Sequence, residues 1–115
     1  MSKPPEDIRK MWFAIAHGQP VCAFRGKTCQ VLEAHHIIPR QSRIAWMPQN
    51  AILLCRHHHE FAHNDRPVFM FALKGTCREQ WFWVETHKNK TATWDEVRAE
   101  LRKWTAPLAV KETDA

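Results

Sequence analysis

A chain of 115 residues is enough for one domain, and at this size only about two thirds of the unfolded surface can be buried, so a metal cross-link would add useful stability. Hydrophobic residues make up 44% and the chain has six Trp, which argues for a folded protein, and no stretch approaches the roughly 18 apolar residues that a membrane span needs. Seventeen Lys and Arg against twelve Asp and Glu give a net charge of +5, which suits a polyanionic partner without specifying one.

The ends, 1–5 and 107–115, are polar and Pro- or charge-flanked and are expected to fray. Pro4 and Pro5 followed by Glu6 and Asp7 have the form of a helix start, and Ile8, Met11, Trp12 and Ile15 make an apolar stripe that ends at Gly18. From Val21 to Pro39, short apolar runs broken by Gly26 suit two short strands joined by a turn that carries Cys22 and Cys29. After a polar loop, Asn50 to Cys55 reads as a buried strand and Arg56 to about His63 as a short helix. Helices are expected at about 67–74, 77–88 and 94–104. Thr76-Cys-Arg-Glu79 and Thr93-Trp-Asp-Glu96 both match the capping box. In the last helix Trp94, Val97, Leu101 and Trp104 share one face. No apolar leader segment precedes these elements, so a cytoplasmic chain is expected, and Cys near His in a reducing compartment points to metal binding rather than disulfides.

Six of the eight histidines fall between His35 and His63: an adjacent pair, His35-His36, a run His57-His58-His59, and His63 one helical turn later. On a helix His59 and His63, at i and i+4, point the same way and can share one cation, with His35 arriving from the preceding strand. Three imidazoles leave a coordination position open. Imidazole suits zinc, nickel, copper or iron better than magnesium, but oxygen ligands from a bound phosphate would let other divalent ions work. His36 faces away from its neighbour in an extended segment and is free to act as a base. Asn50, fourteen residues after His36 and nine before His59, is suited to orient that base or to tie the loop to the strand.

The segments Glu33-Ala-His-His-Ile-Ile-Pro-Arg40, Asn50-Ala-Ile-Leu-Leu-Cys55 and His58-His59-Glu-Phe-Ala-His63 resemble the HNH endonuclease motif. The resemblance implies an α+β fold with a ββα-metal core over about 20–65, an N-terminal helix and a helical C-terminal extension over about 66–106. It implies a phosphodiesterase acting on DNA, with His36 as general base, Asn50 as the middle Asn, and His35, His59 and His63 as ligands of a divalent ion such as Mg, Mn, Ni or Zn. His35 stands where many members have Asp, which is closer to the bacterial toxin-type subset with three imidazoles. More loosely, the flanks resemble small stand-alone HNH proteins of phages and prophages, some linked to recombination, which would imply recombination or phage protein partners. Several members also carry a structural zinc, and here Cys22, Cys29, Cys55 and His58 are the implied ligands, His58 standing in place of Cys and His57 being the alternative to it.

Arg40, Arg43, Arg56 and Arg66 border the expected site and are candidates for phosphate contacts. Trp46, in the loop between His36 and Asn50, is the candidate for contact with DNA, whereas Trp12, Trp81, Trp94 and Trp104 fall on helical stripes and are assigned to the core. A rival assignment puts all these His and Cys residues into closed zinc sites of a non-catalytic nucleic-acid- or protein-binding module.

Overall fold

Glu6 and Asp7, directly after Pro5, open α1 (Glu6–His17), where their charges complement the positive helix end. Its apolar stripe is buried through Ile8, Trp12, Ile15 and Ala16. The structure, a computed structural model, describes residues 3–24 and 31–114, with side chains as far as Thr105. Beyond α1 come β1 (Leu32–His36), two 3-10 turns (Arg43–Trp46 and Pro48–Asn50), β2 (Ala51–Cys55), α2 (Arg56–Asn64), α3 (Arg66–Thr76), α4 (Arg78–His87) and α5 (Trp94–Asp114). The fold is α+β, a small ββα-type core with additional helices, as expected.

β1 and β2 pair antiparallel, with Leu32 opposite Cys55, His35 opposite Ile52 and His36 opposite Ala51. Every residue of β2 is buried, because α1 packs on it and α2 folds back against both strands. A two-stranded sheet leaves each strand an open edge, and such a hairpin is marginal alone. Here the outer edge of β2 is covered: Ala23 N–H donates to the Leu53 carbonyl at 2.9 Å. The Gln19 amide accepts from Leu53 N–H at 3.2 Å and donates to the Ala51 carbonyl at 3.1 Å.

Several expectations need correction. The described part of 21–39 holds one strand, since 21–24 turns past β2 with a single backbone bond instead of extending; Cys29 and the rest of 25–30 lie outside the described residues. Thr76 does not cap α4. It lies inside α3, and Cys77, with φ −131° and ψ 63°, both closes α3 and precedes α4. The second capping box does form, Thr93 N–H donating to Glu96 Oε1 at 3.0 Å and Glu96 N–H to Thr93 Oγ1 at 3.1 Å. α5 runs past the expected end at 104 to Asp114. Val97 and Leu101 are fully buried, but Trp104 is half-exposed. Trp46 is a core residue, 4% exposed and wedged against Trp12, so it is not placed to stack on a base. Among the described residues no helix is long and apolar enough to cross a membrane.

Candidate active site

Alternation along β1 decides where its two histidines go. Side chains of neighbouring strand residues leave opposite faces, so His35 turns toward α2 and α3 while His36 turns toward α1. His35 meets His59 and His63 with ring centroids 4.9 and 5.0 Å away, and it packs edge-on against buried Phe69. His59 and His63 sit one turn apart on α2, with their Nε2 atoms 3.2 Å from each other. One nitrogen from each of the three imidazoles lies within 4.8 Å of the others.

That geometry fits a shared cation. Zinc–nitrogen bonds of about 2.0–2.1 Å at tetrahedral angles would put two imidazole nitrogens about 3.3 Å apart. Buried His35 Nε2 has no hydrogen-bond partner, an arrangement that costs about 1–3 kcal/mol unless something occupies its lone pair. Burial, helped by the nearby imidazoles of His59 and His63, lowers the His35 pKa from 6.5 to about 3, which keeps this ring neutral and able to ligate.

Glu33, two residues before His35 and on the same strand face, supports the trio. Its Oε1 lies 3.0 Å from His59 Nδ1. A carboxylate there accepts Nδ1–H and leaves the Nε2 lone pair aimed at His63, the arrangement by which carboxylates orient metal-binding histidines. Arg56 lies 3.8 Å from the other Glu33 oxygen. Sequence reading placed Glu33 in the motif without a role; its period-two relation to His35 was the available signal.

On the opposite face His36 lies flat on Trp12, centroids 3.7 Å apart and planes 3° from parallel, while Trp46 meets it edge-on at 4.4 Å. Its Nε2 is buried without a hydrogen-bond partner. Burial, and secondarily the Arg40 guanidinium, lower its pKa from 6.5 to about 3, so the ring is neutral at ordinary pH. Both histidine environments nevertheless open on one cleft of about 480 Å³, lined by His35, His36, His59, His63, Arg40 and Arg66.

Asn50 is fully buried. Its Oδ1 accepts from Ile38 N–H at 2.7 Å, and its Nδ2 donates to the carbonyls of Ile38 at 3.0 Å and Ala45 at 2.8 Å. These bonds staple the loop between the strands, so of the two roles expected for Asn50 the loop tie is the one its contacts perform. Of the four arginines, Arg40 and Arg66 line the cleft. Arg43 instead lies over Trp94, 5.7 Å from the ring centroid, and Arg56 faces Glu33.

A second cluster joins Cys22, Cys55 and His58, again with ligand atoms within 4.8 Å of one another. His58 Nδ1 lies 3.2 Å from Cys22 Sγ and 3.3 Å from Cys55 Sγ. This trio could hold a metal ion, and it shares no residue with the first. His57 is exposed, so His58 is the histidine that joins the thiols.

Residues 21–65 match the family model described as HNH endonuclease. No curated protein and no solved structure matches the chain.

Proposed function

We propose, from the match of residues 21–65 to the HNH endonuclease family model, that the chain is a metal-dependent endonuclease hydrolysing phosphodiester bonds in DNA. The observation that carries this reading is that His36, a member of neither candidate metal cluster, lines the same cleft as His35, His59 and His63.

His35, His59 and His63 would hold the divalent ion, with Glu33 fixing the tautomer of His59. When bound, that ion supplies positive charge against the negative charge that grows on phosphorus oxygens during displacement. His36 accepts the proton of the attacking water, and Trp12 keeps its ring from turning. Arg40 and Arg66 grip the backbone, and guanidinium groups suit paired phosphate oxygens. Contacts of this kind read phosphate rather than base edges, so cleavage has little sequence preference and weakens steeply with salt. Cys22, Cys55 and His58, with Cys29 as fourth ligand, are proposed to hold a structural zinc.

A non-catalytic zinc-stabilised binding module is the alternative, and the thiol cluster is the feature that favours it. Nicking of supercoiled plasmid with Mg²⁺, Mn²⁺, Ni²⁺ or Zn²⁺ separates the two. Nicking that requires the ion and stops with chelator is expected; DNA binding without nicking under every ion would leave the module.

A further inference from the structure

Past the histidines, Arg40 and Gln41 line not one cleft but two. On their far side lies a second cavity of about 710 Å³, lined also by Lys3, Glu6, Arg9 and Trp46. Trp46 is buried and so contributes floor rather than a free stacking surface. The polar groups facing the cavity are mostly cationic: Lys3, Arg9 and Arg40, against the one carboxylate of Glu6. Asp7, the other acid of this helix turn, is engaged elsewhere, its carboxylate 2.6 Å from Arg98.

Arg9 ties the two clefts together. Its guanidinium lies 5.6 Å from the centroid of Phe13, and Phe13 lines the histidine cleft. The contact of Arg9 with Glu6, at 3.6 Å between side chains more than half exposed, is weak enough for a phosphate to displace. Cations therefore run from Arg66 past the histidines to Arg40, and on to Arg9 and Lys3.

We propose that the second cavity is a nucleic-acid subsite, holding the sugar-phosphate backbone next to the scissile phosphate through Lys3 and Arg9. The proposal rests on the reading of the histidine cleft as a nuclease site, and it adds the side on which the strand leaves that cleft. A polyanion bound along both clefts would meet fixed positive charge at each end, whereas a small diester would reach only the histidines and Arg40.

The test compares the parent with the double variant Lys3→Gln, Arg9→Gln. Binding of a short labelled DNA duplex is followed by fluorescence anisotropy in chelator over a range of salt, and hydrolysis is measured on DNA and on bis(p-nitrophenyl) phosphate. The variant is expected to bind the duplex about tenfold more weakly, with a salt slope lower by about 1–2, and to lose DNA cleavage by a similar factor. Hydrolysis of the small diester should stay within about twofold of the parent, and Lys3→Arg, Arg9→Lys should restore DNA binding. Unchanged duplex affinity and salt slope would overturn the proposal, as would an equal loss on both substrates. If the parent cleaves neither substrate, the nuclease reading fails while the anisotropy still decides whether this cavity holds nucleic acid.

Discussion

The imidazole of His36 and the indole of Trp12 lie face to face, 3.7 Å between centroids and 3° from parallel, although they are 24 positions apart in the chain. Trp12 is itself fixed, fully buried and donating Nε1–H to the Met47 carbonyl at 3.2 Å. The proposed proton acceptor is thus held by a wall from α1, outside the matched family segment. Replacing Trp12 by Phe keeps a flat face and is expected to lower kcat for DNA cleavage by less than about threefold. Trp12→Leu removes the face and should lower kcat about tenfold or more in protein that is still folded, with urea unfolding reporting separately the core packing and the Met47 hydrogen bond that are lost with it. Equal kcat in both variants would show that the stack positions nothing.

Asn50 holds the interstrand loop by three buried hydrogen bonds to main chain. Truncation to Ala leaves one N–H and two carbonyls unpaired, and each buried group without a partner costs about 1–3 kcal/mol. Urea unfolding of Asn50→Ala should show a loss of about 3 kcal/mol or more, and Asn50→Asp should also destabilise because a carboxylate oxygen then faces a carbonyl. A change below about 1 kcal/mol would mean that the staple contributes little.

Glu33 orients His59 through one hydrogen bond at 3.0 Å. Loss of such a supporting carboxylate weakens metal affinity by about 10–100-fold. Calorimetric titration of Glu33→Ala with Ni²⁺ or Zn²⁺ should show that loss at the histidine site, and Glu33→Gln, which still offers an acceptor oxygen, should lose less. Parental affinity in Glu33→Ala would remove Glu33 from the metal-site account.

His35 and His36 both have pKa values lowered from 6.5 to about 3, by burial first. Between those values the unfolded chain binds more protons than the folded one. The stability they contribute is therefore complete above about pH 6.5 and is lost as pH falls toward 3, by up to about 1.4 kcal/mol per pH unit for each ring. With chelator present, lowering the pH from about 7.5 to about 5.5 should cost the parent about 2 kcal/mol in urea unfolding and His36→Gln less. Stability that is flat across this interval would contradict the burial of these rings.

The histidine trio was legible because its geometry is local. The i, i+4 spacing of His59 and His63 sets their common face, and strand alternation sends His35 and His36 to opposite sides. β2 was legible as an apolar run, and α5 as a stripe opened by a capping box. What could not be read were contacts between distant segments. Nothing near His36 in the chain announces Trp12, and Trp46 suggested a nucleic-acid contact only because its burial depends on how α1 crosses the loop. Arg43 and Arg40 look alike in sequence, yet Arg43 is drawn over Trp94 while Arg40 faces the cleft. The failed capping box at Thr76 has a different origin: the α3 pattern carries on through Thr76, so the break falls one residue later, at Cys77.

The proposed division of labour between the two faces of β1 is tested most directly by one paired measurement on the parent, His36→Ala and His59→Ala: plasmid nicking and divalent-ion affinity on the same samples. The parent is expected to nick with the ion present. His36→Ala should bind the ion as the parent does and nick at least about 100-fold more slowly, while His59→Ala should lose both ion affinity and nicking. Parental nicking by His36→Ala, or unchanged ion affinity in His59→Ala, would contradict the account.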